Sequence, residues 1–196
     1  YIEQTLRVLD IYINYEIIVH EFYDDDIVMQ ADGYRVESLR ARHTKPCLCY
    51  RLVEEPRPGQ FHPERAVAAG VPRGPDWSTL QRGESVRLTD GTTVMPEEVM
   101  GLPRPGRTFS FVTDTAAFPA LTPFVAGSDL LICEGMFCAD LTADASAKKH
   151  LTAQQAGRIA DNAGVGRLGL IHYSPRYTER DLRKLVSEAR AEFGES

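Results

Sequence analysis

Hydrophobic residues at the start of the chain recur at helical spacing. Ile2, Leu6 and Leu9 share one face of a 3.6-residue period, which predicts a helix within residues 1–14. The chain begins at Tyr1, without Met and within this pattern. We therefore expect it to be a fragment of a longer protein.

Alternation of apolar and polar residues then predicts strands. The predicted extended segments are residues 16–22, 26–30 and 34–42, and the alternation resumes after Pro46 at Leu48, Tyr50 and Leu52. The dipeptide Asp32-Gly33 separates two of these segments and favours a two-residue hairpin turn.

The middle of the chain has a different composition. Residues 51–107 contain eight of the 12 prolines and seven of the 15 glycines. Proline lacks the amide hydrogen that sheets and helix interiors use, and glycine is costly inside either element. We therefore expect residues 54–105, called the arm below, to protrude with weak order and few buried contacts.

From Thr108 onwards buried strands alternate with helices. The predicted strands are residues 109–113, 130–133 and 168–171. Thr152 and Gln155 form a capping box that begins a helix, and Gly164 ends it. A final amphipathic helix ends at Gly194. The pattern predicts an α/β fold.

The composition narrows the class of protein. With 43% hydrophobic and 26% charged residues the chain is typical of a globular protein, and no apolar run is long enough to span a membrane. A net charge of −6 disfavours a general nucleic-acid binder but not a local RNA-binding patch. Reduced cytosolic thiols are the favoured interpretation of the four cysteines; a zinc site on Cys47 and Cys49 is the alternative.

Four predicted strands lead directly into residues that can bind a metal: His43, Asp114, Glu134 and His172. Because the carboxyl ends of strands are where α/β sheets build their sites, we expect these side chains to converge. Imidazole and carboxylate groups suit zinc or a similar divalent ion. For each histidine taken alone, an ordinary surface residue is the alternative, and it is the interpretation favoured for His20 and His62.

His150 stands apart because it lies just before the capped helix. The positive end of the helix dipole disfavours an imidazolium there, which suits a group that exchanges protons near neutral pH. A solvated loop histidine is the alternative.

Several segments, in this order, resemble the short bacterial form of ribonuclease Z, a member of the metallo-β-lactamase superfamily. They are FSFVTDT at 109–115, DLLICEGMF at 129–137, HLT at 150–152 and LIHYSPRY at 170–177. Upstream, RHTKPCLCYR at 42–51 resembles the segment that carries a metal-binding histidine. The arm, with Gly74-Pro75, resembles the flexible arm with which the family grips tRNA.

The resemblance implies an α/β fold of the metallo-β-lactamase type, an αββα sandwich, of which this chain is the C-terminal portion. Residues 1–53 and 106–196 would belong to that domain, with the arm at 54–105 between them. His43 and His172 would each bind one of two zinc ions, and Asp114 would bridge both.

The remaining roles implied by the resemblance concern catalysis and RNA binding. His150 would donate a proton to the departing 3′ oxygen, and Glu134 would belong to the same catalytic group. Arg176 would contact RNA near the cleavage point, and Gly74 and Pro75 would lie at the tip of the arm. The implied protein is a cytoplasmic homodimer that removes the 3′ trailer from precursor tRNA by zinc-dependent hydrolysis.

The sequence departs from the family pattern at three places. Thr113 stands where the family usually has Gly, Cys133–Met136 reads CEGM where the family has His-Glu-Ala-Thr, and the His-x-His-x-Asp-His cluster is absent from these residues. Two alternative functions stay open: a hydrolase of the same fold with a smaller substrate, and a catalytically silent RNA-binding relative.

Overall fold

The computed structural model describes residues 2–194. Tyr1, where the predicted first helix begins, and positions 195–196, at the end of the last predicted segment, lie outside the described residues. The strands are β1 (Asp26–Ala31), β2 (Tyr34–Arg40), β3 (Leu48–Glu54), β4 (Val86–Arg87), β5 (Thr93–Val94), β6 (Thr108–Val112), β7 (Leu130–Glu134) and β8 (Leu168–Ile171). The helices are α1 (Ile2–Val8), α2 (Pro63–Ala68), α3 (Pro75–Gln81), α4 (Pro96–Val99), α5 (Leu121–Val125), α6 (Thr142–Lys148), α7 (Ala153–Asn162) and α8 (Glu179–Phe193).

A mixed six-stranded sheet organises the fold, with the order β1-β2-β3-β6-β7-β8. In this sheet β1, β2, β3 and β6 pair antiparallel, whereas β6, β7 and β8 run parallel to one another. The predicted hairpin is confirmed, because Ala31 pairs with Tyr34 across Asp32-Gly33 and Gly33 has a φ of 80°. The parallel half brings the carboxyl ends of three strands to one edge of the sheet.

Helices cover one face of this sheet. Leu131 and Cys133 of β7 are fully buried and pack in the same core as Ala156 and Ala160 of α7. The predicted capping box at the start of α7 is confirmed, since Thr152 and Gln155 each accept a hydrogen bond from the other's backbone amide. Within residues 2–194, no helix has both the length and the apolar character required to cross a membrane.

The opposite face of the sheet is more exposed. The strand side chains that alternate with the buried ones point to this face, and two of them, Tyr50 and Phe109, are 40% and 37% exposed. Tyr50 pairs with Phe111, and Leu52, two residues further along β3, pairs with Phe109, so these side chains lie close together on this face.

The arm is more compact than its composition predicts. Helices α2, α3 and α4 and the β4–β5 hairpin surround a separate core of fully or nearly fully buried side chains: Ala66, Val71, Leu80, Val86, Val94 and Val99. The expectation of few buried contacts is therefore wrong for this segment. Proline is not a defect here, because Pro63, Pro75 and Pro96 each occupy the first turn of a helix, where no amide hydrogen is needed.

A two-stranded stem carries the arm. Arg57 and Arg104 exchange backbone hydrogen bonds of 2.9 and 3.0 Å, and the Gly101 amide donates to Gln60 O at 2.7 Å. Closer to the sheet, the Glu54 amide donates to Arg107 O at 2.9 Å. The two chains of the stem thus run side by side out of β3 and back into β6.

One predicted strand does not form. Residues 16–22 have no regular secondary structure, and Ile17, Ile18 and Val19 are 40%, 67% and 54% exposed. Their alternation lacks a pairing partner, since β1 bonds only to β2 among the described strands. The helix predicted within residues 1–14 is confirmed in part and ends at Val8.

Candidate metal centre

The predicted strand-end residues converge at one edge of the sheet. Asp114 follows β6, Glu134 is the last residue of β7, and His172 follows β8. His172 Nδ1 lies 3.4 Å from Asp114 Oδ1 and 3.9 Å from Glu134 Oε2. His43, which follows β2, places Nε2 3.8 Å from Asp114 Oδ2. The parallel strands β6–β8 make this convergence possible.

His43 is oriented by a backbone carbonyl. Its Nδ1 lies 3.1 Å from Lys149 O, and because a carbonyl can only accept, Nδ1 carries the hydrogen. Nε2 is then the atom with the free lone pair, and it faces Asp114 and the Thr44 hydroxyl. Lys149 has a left-handed φ of 58°, which turns its carbonyl towards the histidine. Histidine ligands of metals are commonly fixed by such a bond on the other nitrogen.

Glu134 and His150 form a buried pair behind this cluster. Glu134 is fully buried and His150 is 8% exposed, and His150 Nδ1 lies 3.2 and 3.1 Å from the two carboxylate oxygens. The Thr115 amide also donates to Glu134 Oε1. Because a carboxylate only accepts, Nδ1 is the donor, which leaves Nε2 of His150 for another partner.

The pKa values of this pair shift in opposite directions. Burial raises the pKa of Glu134 to about 7, against the hydrogen bonds from the Thr115 and Leu151 amides. Burial also lowers the pKa of His150, and a charge on His43 lowers it further. The sequence pattern predicts this direction for His150 from the helix dipole; the direction is the same, but the causes are burial and neighbouring charges.

Asp114 is held in its ionised form by its neighbours. Burial alone would raise its pKa. Hydrogen bonds from the Thr113 hydroxyl and its own backbone, together with positive charge on His172 and His150, hold the pKa below its usual value. Thr113 Oγ1 donates to Asp114 Oδ1 at 2.7 Å. The residue that departs from the family pattern thus supplies a bond that glycine could not.

These side chains form two overlapping groups of possible metal ligands. One contains His43, Asp114 and His150, and the other contains Glu134, His150 and His172; in each, one ligand atom per residue lies within 4.8 Å of the others. Imidazole nitrogens with carboxylate oxygens are a donor set that zinc accepts. The residues present therefore fit a divalent transition metal.

Comparison with known families agrees with this geometry. The sequence profile described as "Beta-lactamase superfamily domain" matches residues 30–173. The chain belongs to this superfamily. A structure of the metallo-beta-lactamase fold protein YhfI from Bacillus subtilis has the same fold, with a TM-score of 0.52 at 23% identity, over 85% of this chain and 46% of that one.

Curated relatives in the superfamily are considerably more similar in sequence. The protein named Ribonuclease Z in Treponema denticola is 48% identical over 196 residues, which is 100% of this chain and 64% of that protein. The Ribonuclease Z of Myxococcus xanthus is 42% identical over 180 residues, covering 92% of this chain and 58% of that protein. The chain thus spans about three-fifths of the length of these relatives.

The predicted RNA-contacting residues lie outside the ligand cluster of this superfamily member. Arg176 is exposed after β8, with its guanidinium carbon 5.2 Å from the centre of the Phe137 ring. Gly74 and Pro75 are exposed at the start of α3, within the arm. His20 is exposed as well, and His62 Nδ1 lies 3.1 Å from Glu64.

The alternative zinc site on Cys47 and Cys49 is not supported. Burial raises the pKa of the Cys49 thiol to about 12 and also raises the pKa of Cys47. A metal needs the thiolate, which burial disfavours. In the described part of the chain, neither cysteine belongs to a group of three ligands.

A third group of potential ligands escapes the sequence pattern. Cys138, Asp140 and Glu188 come within 4.8 Å of one another where the segment after β7 meets α8. Lys184 Nζ lies 3.2 Å from Asp140 and 3.7 Å from Glu188, so an ammonium group already balances the carboxylates. Glu188 also accepts the Ala139 amide at 2.8 Å. These bonds give the group a role in holding α8 to the loop.

Proposed function

We propose that the protein to which this chain belongs is an endoribonuclease that removes the 3′ trailer from precursor tRNA. The similarity to proteins named Ribonuclease Z extends along the whole chain, at 48% identity for the Treponema denticola relative, and supports this assignment. The structural observation that carries it is the Glu134–His150 pair beside His43, Asp114 and His172. Metal-assisted phosphodiester hydrolysis uses both functions, a cation-binding cluster and a proton donor.

Zinc is the proposed cofactor, with two ions per complete subunit. His43 would hold one ion, His172 the other, and Asp114 would bridge them, since both imidazoles face its carboxylate. When bound, such ions activate water and stabilise charge on the phosphate oxygens. The remaining steps belong to the side chains.

His150 is proposed as the general acid. Glu134 accepts its Nδ1 hydrogen, so Nε2 is the nitrogen that can deliver a proton to the leaving 3′ oxygen. The lowered pKa of His150 makes that proton easier to release. The bond from Nδ1 to Glu134 also fixes the orientation of the ring, which presents Nε2.

Outside the centre, the proposal assigns RNA binding to Arg176 and to the arm. Gly74 and Pro75 lie on the exposed surface of the arm, where a distant part of tRNA could contact them. The arm would act across a homodimer, and the tRNA substrate would place the protein in the cytoplasm.

The decisive test separates proton donation from metal binding. His150→Ala should keep metal content close to wild type and slow single-turnover cleavage of precursor tRNA by about 10² to 10⁴-fold, the usual contribution of a positioned acid. His172→Ala should lose metal and activity together. Metal stoichiometry and cleavage rate would be measured in parallel on both variants of the complete protein. Loss of metal from His150→Ala would make His150 a ligand and overturn its assignment as the acid.

The role of the arm has its own test. Because Arg57 and Arg104 are hydrogen-bonded neighbours, residues 58–103 can be replaced by two glycines without stretching the stem. The shortened protein should cleave precursor tRNA far more slowly and hydrolyse a small phosphodiester at the wild-type rate. Equal losses on both substrates would contradict a role in distant RNA binding.

A further inference from the structure

The charged groups of Lys148 and Arg176 both contact the buried ring of Phe137, beside His150. Phe137 is fully buried, and its ring centre lies 6.3 Å from that of His150 in an edge arrangement. Lys148 Nζ is 5.6 Å from the centre of the Phe137 ring, and Arg176 Cζ is 5.2 Å from it. Both side chains are exposed. The two charges therefore reach solvent close to the proposed general acid.

The loops that carry these residues are bonded to one another. The Phe137 carbonyl accepts the Ala153 amide at 2.8 Å, and the Ser174 amide donates to Met136 O at 3.1 Å. Lys148 ends α6 two residues before His150, while Arg176 follows His172 by four. Backbone bonds thus join the segments after β7 and β8 beside the metal centre, and Arg176 lies on the second of these.

The charge of the pair is not cancelled by the protein. Among the ion pairs of residues 2–194, neither Lys148 nor Arg176 takes part. Contact with an aromatic ring orients a cation but leaves its full charge available to a ligand.

We infer that Lys148 and Arg176 form an anion subsite for phosphate groups next to the cleaved linkage. This inference rests on the proposed function, and it adds Lys148 and the shared Phe137 platform to it. A single-stranded RNA at the metal centre carries one phosphate per nucleotide, and a phosphate next to the cleaved linkage would be the one that these two cations bind. Phe137 acts as a positioning residue, since it holds the cations and does not touch RNA.

The test measures the salt dependence of binding. The complete holoprotein is titrated with a precursor tRNA that carries a hydrolysis-resistant linkage at the cleavage point. Lys148→Met should bind more weakly and lower the slope of log affinity against log salt by about 0.7, the value for one phosphate of a single strand. Lys148→Arg should restore the slope. Lys184→Met is the matched control, because Lys184 is already paired with Asp140 and Glu188.

The outcomes distinguish this inference from the proposed function. An unchanged slope in Lys148→Met, or an equal change in Lys184→Met, overturns the subsite even if the intact precursor is cleaved. If the wild type binds the resistant RNA and Lys148→Met lowers the slope, the subsite stands even where the intact precursor is not cleaved. That second result would refute the nuclease assignment alone. A thermal melt of each variant excludes unfolding as the cause.

Discussion

The stem of the arm depends on a glycine that has no room for a side chain. A Cβ added at Gly59 would overlap the Gly101 carbonyl and lie 2.7 Å from Leu102 O, and both obstacles are backbone atoms. Gly59→Ala therefore forces the two chains of the stem apart. The arm would be attached through a loosened stem, although its own core is untouched.

The size of the effect follows from the bonds at risk. The opening strains the pair of hydrogen bonds between Arg57 and Arg104 and the bond from the Gly101 amide to Gln60 O. Each is worth about 0.5–1.5 kcal/mol net, and forcing extra volume into a packed site costs about 1–3 kcal/mol. Since the chains can relax at the expense of some of these bonds, we expect a loss of about 2–4 kcal/mol in stem stability.

Gly74→Ala is the matched control. It is the same change within the arm, but the nearest atom to an added Cβ is 3.9 Å away and the φ of 175° is ordinary extended backbone. Native-state hydrogen exchange would follow the amides of Arg57, Gly101 and Arg104. They should exchange faster in Gly59→Ala and at the wild-type rate in Gly74→Ala. Equal protection in both variants would refute the close approach of the two chains.

Two further predictions concern the metal centre and the helix packing. Thr113→Val should weaken metal binding by about 10–100-fold, because it removes the 2.7 Å hydrogen bond to Asp114, and Thr113→Ser should restore the affinity. Competition with a chelator measures the metal affinity of both variants. Equal affinity in the two variants and the wild type would contradict this role of Thr113. Gly157→Ala should lower the free energy of unfolding, measured by urea titration, by about 1–3 kcal/mol, although alanine favours helices. The reason is that the new Cβ overlaps the Ala189 carbonyl and lies 3.0 Å from the Ala189 Cα. Any stabilisation would contradict the close contact of α7 and α8.

Local chemistry explains what could be predicted from the sequence. The Asp32-Gly33 turn and the Thr152–Gln155 capping box depend on neighbouring residues only, and both form. The convergence of Asp114, Glu134 and His172 follows from parallel strands, a property that the alternation of strands and helices makes visible. Burial of the Glu134–His150 pair already depends on residues distant in sequence.

What could not be predicted depends on partners and on backbone conformation. Residues 16–22 alternate like a strand, but a strand also needs a neighbouring strand to pair with, and the sequence of one segment does not show whether a partner exists. The left-handed conformation of Lys149 has no signal in residue type, because lysine, unlike glycine, asparagine or histidine, is not enriched at positive φ. The core of the arm could not be predicted from its proline content, because proline interrupts sheets but is also favoured in the first turn of a helix.

Lys148, Lys149 and His150 meet three different partners in three consecutive positions. The ammonium group of Lys148 contacts the Phe137 ring, the carbonyl of Lys149 accepts a hydrogen bond from His43, and His150 donates one to Glu134. One added or lost residue in α6 would turn all three by about 100° around the helix axis. During evolution this stretch can therefore exchange the side chain of Lys149, whose contact is made by its backbone carbonyl, but it cannot change its length. Insertions that enlarge the protein should accumulate elsewhere, for instance at the exposed glycine turns of the arm.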